Sequence, residues 1–521
     1  MEYTLTGGTV IDGTGSPGYK ADVWVEDGVI RAISPGLPRT GTVIGIEGQV
    51  VCPGFIDMHS HTQLHWMADP GVEAKTRQGI TTEVTGPDGY STAPIRPADV
   101  ASWRTHLAGI EGDPCDNWGW SSFAEYRNVL RGTSCNWAPQ VGHGNLRLWV
   151  MGMQDRKPDE AELQQMGELL DRSLKEGAYS FTTGLVYTPQ AYADFDELAF
   201  LCRVAARNDS FFTIHLRTQH MLILQGLQEA LDVARRSGCR LHISHFQLSA
   251  RGMWGKVDQC LELIEAARKE GVEVTCDSHP YTAGSTTMAA LMPPWAHAGG
   301  PGELLGVLKS PSQQQRLERD ALEGLPTWES RFKTVGVENI YVSSVKTAAN
   351  QNVVGRNLVQ ISEAWGMTPI RAVVKLLLEE NLAATIITMS LSEPDVEQIM
   401  RLPWQMFCSD ALLTGKPHPR AFGTYPRIFR RYVREKRVLT LEEAVKKCTS
   451  VPAFRLGLKD RGVLGQGKTA DLVVFNPLTI EDKATYDEPR QYPAGIQYVF
   501  VNGIPVVWAG EHTRAFPGHV L

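Results

Sequence analysis

The stretch Pro53-Gly54-Phe55-Ile56-Asp57-Met58-His59-Ser60-His61 reads as a buried strand that ends in two histidines one residue apart. In a strand the side-chain period is two, so both imidazoles leave from the same side. His-x-His alone has appreciable chance frequency, and its weight depends on what the rest of the chain places beside it. Downstream, strand-like apolar runs alternate with helix-length amphipathic segments, the pattern of βα units around a parallel barrel. Eight strand candidates fall at 51–61, 81–86, 137–143, 178–184, 211–217, 240–246, 272–278 and 405–410. Helical partners at 160–174, 195–206, 223–236 and 257–269 carry apolar residues at three- and four-residue spacing. The expected fold is therefore α/β, a (β/α)8 TIM-like barrel over 53–463. The gap from 278 to 405 exceeds what one crossover requires, which predicts an inserted subdomain at about 286–388, before the last barrel strand.

Both chain ends are written differently. Residues 1–52 contain short alternating strands with glycine turns, and 464–521 return to that style around Ala470-Asp471-Leu472-Val473 and Val501-Asn502-Gly503. Together they predict one small composite β-sandwich domain. A hydrophobic content of 42%, a charged content of 21% and a net charge of −7 are those of an ordinary soluble globular chain without a nucleic-acid footprint. Nine cysteines with no CxxC do not form a disulfide framework, which fits the reducing cytoplasm. The first residues lack the basic start and apolar run of an export signal, and no run approaches a membrane span.

In such a barrel the C-terminal strand ends converge on one face, so polar groups far apart in sequence meet there. His59 and His61 end the first strand, His215 the fifth, His245 the sixth and Asp410 the eighth. Imidazole and carboxylate suit zinc, and a catalytic zinc site keeps one position open for water. A single strand-end histidine is more often just hydrogen-bonded; the conjunction at corresponding ends of different strands is what points to a metal. His143, ending the third strand, could polarise a substrate or orient a ligand.

These residues resemble the amidohydrolase superfamily and, within it, the N-acyl-D-amino-acid deacylases. The similarity spans nearly the whole chain: 53–61, 79–94, Val141-Gly142-His143-Gly144, Thr182-Thr183-Gly184-Leu185, Ser244-His245, 280–286, Pro293-Pro294-Trp295 and His418-Pro419-Arg420-Ala421-Phe422-Gly423-Thr424. The resemblance implies one or two zinc ions, with His59 and His61 at one metal position, His215 and His245 at the other, and Asp410 as the catalytic base. Family members share a cysteine between the positions; the matching residue here is Asp88, in Gly86-Pro87-Asp88-Gly89. A carboxylate can bridge two divalent ions, although an aspartate in a Pro-Asp-Gly turn can equally serve only the backbone. Hydantoinase-like relatives bridge with a carboxylated lysine on strand four, and 178–184 contains none.

A second departure concerns the substrate. Where the deacylases carry a lysine two positions after the strand-six histidine, this chain has Gln247, which removes a charged anchor, while Arg420 keeps another basic position. Ser285 and Trp295 are further candidates for substrate contact. Tyr281 is a candidate oxyanion donor, with a packed aromatic as the alternative. The expected activity is zinc-dependent hydrolysis of a small linear amide, an N-acyl amino acid or a relative of one. Two other readings stay open: a cyclic amide hydrolase, and a barrel that has lost catalysis and only binds. The expected partner is the small-molecule amide, with no nucleic acid and no membrane; homo-oligomers are compatible with the sequence.

Overall fold

Strands buried along nearly their whole length, polar residues included, close a parallel barrel. The computed structural model describes residues 1–116 and 118–521. The barrel strands are β1 (Phe55–Ser60), β2 (Ile80–Thr85), β3 in two pieces (Asn136–Pro139 and Val141–Gly142), β4 (Ser180–Gly184), β5 (Phe211–His215), β6 (Arg240–Ile243), β7 (Val274–Ser278) and β8 (Gln405–Phe407). Every neighbouring pair is parallel. The first piece of β3 pairs with β2 and the second with β4. Closure between β8 and β1 runs through a Ser60–Ala411 bridge, Asp410 N–H donating to His59 O (2.8 Å) and His61 N–H donating to Ala411 O (3.1 Å). The seam of the barrel is thus made by backbone of the residues proposed to do its chemistry.

The crossovers α1 (Glu160–Lys175), α2 (Phe195–Arg207), α3 (Ile223–Ser237) and α4 (Val257–Lys269) fall where the amphipathic spacing predicts. In α3 the buried stripe Ile223, Leu227, Ala230, Leu231, Ala234 follows the helical period. Asp159 and Glu162 form a capping box that starts α1, and Gly238 in the left-handed region stops α3.

Strands from the two chain ends share one sheet, with Leu472–Phe475 antiparallel to Val50–Pro53. A four-stranded sheet of N-terminal strands packs on it around Leu5, Val23, Val25, Leu472, Val474 and Phe500, which gives the small sandwich. Between β7 and the last crossover, α5 (Glu393–Met400), the chain inserts a three-stranded antiparallel sheet over residues 284–388. Its helices enclose a separate apolar core that includes Leu304, Leu317, Ile361 and Val373. Among the described residues no helix is long and apolar enough to cross a membrane.

Beneath the first histidine, Lys75 is wholly buried and donates to Asp57 Oδ2 (2.6 Å) and Ser409 Oγ (2.6 Å), with Glu83 Oε1 at 2.8 Å. Asp57 also accepts from Ser409 N–H (2.8 Å). One ammonium therefore ties β1, β2 and the segment after β8 from inside. Removing it strands two carboxylates without a counter-charge. Lys75→Met is expected to cost about 3–5 kcal/mol of unfolding free energy, read from urea transitions, and a loss under about 1 kcal/mol contradicts this role.

Candidate metal centre

Four histidines converge on one carboxylate at the barrel mouth. Asp88 Oδ2 lies 3.6 Å from His61 Nε2, 3.4 Å from His215 Nδ1 and 3.6 Å from His245 Nε2, and its Oδ1 lies 3.7 Å from His59 Nε2. Asp410 Oδ1 sits 3.7 Å from both His59 Nε2 and His61 Nε2. Donor atoms gather into three overlapping groups: His59, His61 and Asp88; Asp88, His215 and His245; His59, His245 and Asp410. Asp88 is the member common to the first two.

Local structure explains how a turn residue reaches this place. Asp88 lies three residues beyond β2 with φ at 57°, in a turn closed by Tyr90 N–H to Pro87 O (2.9 Å). Its carbonyl accepts from Gln190 Nε2 (2.9 Å). A Cβ on Gly184, the last residue of β4, would stand 2.6 Å from the Asp88 carbonyl oxygen. Glycine at the end of strand four therefore makes room for the aspartate turn. His245 (φ 29°) and Asp410 (φ 47°) also adopt left-handed backbone. Such conformations cost about 1–3 kcal/mol each in non-glycine residues and cluster at functional sites.

Outer partners aim the imidazoles. His61 Nδ1 is 3.2 Å from Glu111 Oε1, which also accepts from Gln63 Nε2 (3.0 Å). His245 Nδ1 is 3.1 Å from Gln219 Nε2, and its backbone N–H donates to Asp277 Oδ1 (2.6 Å). Both rings thus turn Nε2 inward, and at His61 the Glu111 carboxylate accepts the Nδ1 proton, the arrangement that fixes tautomer and orientation at metal sites.

The electrostatics call for a cation. His59 Nε2 and His61 Nε2 face each other at 3.3 Å, and His215 Nδ1 and Asp88 Oδ1 are buried without a hydrogen-bond partner. Buried polar atoms are rarely left so. Burial works against a charged His61, but the Asp88 and Glu111 carboxylates outweigh it and hold its pKa up at about 10. Burial and then the neighbouring His245 pull His215 down to about 4. Burial would raise Asp88 and Asp410; His59, His215 and His245 instead pull Asp88 well below the usual range, and Arg420 followed by His59 lowers Asp410. An ionised carboxylate pair among imidazoles, with orphaned donor atoms, is a donor set that fits zinc.

The sequence candidates divide by position. His61, Asp88, His215, His245, Asp410, Gln247, Ser285 and Arg420 line one cavity, and His59 lies buried behind it. Arg420 Nη2 holds Asp410 Oδ2 at 2.9 Å and donates to Ser285 O (3.3 Å). Gln247 Nε2 donates to Gln219 Oε1 (3.1 Å). Three candidates point elsewhere. The Tyr281 hydroxyl reaches Pro419 O at 3.5 Å, with Arg427 4.6 Å from its ring centroid, so it braces the helix Arg420–Arg427 from behind. His143 is wholly buried with Thr183 Oγ1 at 3.0 Å and Glu197 Oε1 at 2.8 Å, and both its nitrogens are taken. Trp295 donates to Asp320 Oδ2 (3.0 Å) under Arg316, inside the insertion. Glu111, Gln219, Asp277, Tyr187 and Arg331 are additions that sequence reading missed. Asp277 alone had a signal, as a carboxylate near a strand end.

A model of the amidohydrolase family matches residues 42–507. The chain is 34% identical over 526 residues to the N-acyl-D-glutamate deacylase of Alcaligenes xylosoxydans xylosoxydans, covering 100% of this chain and 96% of that one. It is 32% identical to the D-aminoacylase of the same organism, covering 100% and 97%. Among solved structures, the N-acyl-D-glutamate deacylase of Bordetella bronchiseptica superposes with a TM-score of 0.85 at 34% identity, over 100% of this chain and 99% of that one. That enzyme was solved with zinc and a phosphonate inhibitor that mimics the tetrahedral intermediate.

If Asp88 is shared between metal positions, Asp88→Ala should lower the zinc retained per chain after metal-replete expression, measured by elemental analysis. Unchanged zinc content would return Asp88 to its turn.

Proposed function

The chain belongs to the amidohydrolase family, and from that premise we propose that it is a zinc-dependent deacylase that cleaves the linear amide of an N-acyl-D-amino acid. The observation that carries the reading is the Asp88 carboxylate set within 3.4–3.7 Å of four histidine nitrogens, with Asp410 beside them. In this reading His59 and His61 would hold one metal position, His215 and His245 the other, and Asp88 would be shared between them. Zinc, when bound, supplies the Lewis acidity that makes water nucleophilic near neutral pH and polarises the amide carbonyl.

Asp410 is the proton carrier. Arg420 and the imidazoles keep it ionised, its backbone is pinned to His59 O, and its free oxygen faces the cage. It takes a proton from the attacking water as the C–O bond forms, then returns it to the amide nitrogen as the C–N bond breaks. The products are a carboxylate and an amine. The Tyr281 hydroxyl, turned to Pro419, has no part in this scheme.

A linear substrate is favoured over a cyclic amide because the full-length relatives named above are deacylases. The absence of lysine from β4 (Ser180–Gly184), the strand from which hydantoinase-like relatives bridge, supports the same choice. An intact set of ligand side chains and base speaks against a purely binding barrel.

Zinc-loaded protein tested on N-acyl-D- and N-acyl-L-amino acids, neutral amides and cyclic imides should turn over the D-configured N-acyl amino acids best; preference for the cyclic imides would overturn the proposal. Asp410→Asn should retain zinc yet lose roughly 10²- to 10⁴-fold in kcat. Activity within about tenfold of the parent would show that another group is the base.

A further inference from the structure

Arg331 opens a short helix of the insertion, and its side chain lines the same cavity as Asp88, His215 and Asp410. The segment around it is fastened to the loop after β5. Glu329 accepts from the Thr218 hydroxyl and from the backbone N–H groups of Met221 (2.9 Å) and Leu222 (3.2 Å). Thr334 Oγ1 lies 2.9 Å from His220 Nδ1. Phe332 and Val335 are packed in the insertion's apolar core. Arg331 is therefore carried on a fixed support, close to the strand that ends in His215.

Three guanidinium groups line this cavity, and two are occupied. Arg217 grips Glu229 (2.9 Å) and donates to the Ala191 and Ala193 carbonyls (2.8 and 2.9 Å). Arg420 holds Asp410. Arg331 has no carboxylate at ion-pair distance among the described residues, and donates to Ala290 O at 3.4 Å. The nearby Glu329 is already engaged by the hydroxyl and two amides. Gln247 brings no charge, since it is a neutral amide in the chain that orients His245 through Gln219.

We propose that Arg331 is the anion anchor of this cavity, binding the carboxylate of the substrate in place of the charge that Gln247 lacks. The proposal rests on the deacylase reading above. A planar guanidinium offers a carboxylate two parallel hydrogen bonds, which a neutral amide at position 247 does not match. The barrel then supplies the reacting groups, and the insertion supplies recognition of the acid.

The test uses the zinc-loaded full chain with Arg331→Gln and Arg331→Lys, an N-acetyl-D-amino acid and its carboxamide as substrates, and the corresponding methylphosphonamidate as a ligand that needs no turnover. Arg331→Gln should lower kcat/KM for the acid roughly 10- to 150-fold, mainly through KM, and weaken the phosphonamidate in parallel at unchanged zinc content. The carboxamide should change by less than about threefold, and Arg331→Lys should recover part of the loss. Equal losses on acid and carboxamide, or no loss on either, would overturn the anchor while leaving the deacylase reading intact. A parent protein that neither hydrolyses nor binds the acid would remove both.

Discussion

One carboxylate among four imidazoles is the constraint on which the site depends. Asp88 is buried, sits on left-handed backbone and has an oxygen without a hydrogen-bond partner. A group so placed is costly unless something compensates it. The surrounding structure holds it there: Gly184 clears the space for its carbonyl, Gln190 grips that carbonyl, and Glu111 and Gln219 keep the neighbouring imidazoles turned inward. A divalent cation accounts for the combination, because it satisfies the orphaned His215 nitrogen and the carboxylate oxygen together.

The barrel and its site share a frame. Backbone hydrogen bonds of His59, His61 and Asp410 close the seam between the first and last strands, and the Lys75 network below fixes Asp57 and Ser409, the neighbours of those residues. The ligand residues therefore share the backbone that closes the barrel, which gives the cage the rigidity of the fold. The insertion stands apart, with its own core and its own contacts to the loop after the fifth strand. Variation there can alter the cavity wall without disturbing the metal-binding face.

Much of this was legible in the chain because it is periodic. The alternation of strand runs with amphipathic helices located the barrel, and the residues at strand ends located His59, His61, His215, His245 and Asp410. Asp88 was visible only by resemblance, since nothing local separates a bridging aspartate from a turn aspartate. Tyr281, His143 and Trp295 lie in segments that run through or beside the site, but a segment does not show which way a side chain points. All three turn into packing or into polar partners of their own. Glu111, Gln219 and Arg331 left no signal, because each reaches the site through a tertiary contact from a loop or from the insertion.

The most direct measurement is a crystal structure of the zinc-loaded protein with anomalous scattering recorded at the zinc edge. The account predicts zinc within about 2.0–2.2 Å of an Asp88 oxygen, with His59 and His61 or His215 and His245 completing its shell. Zinc bound with the Asp88 carboxylate turned away from it, or a cage that stays metal-free under saturating zinc, would contradict it.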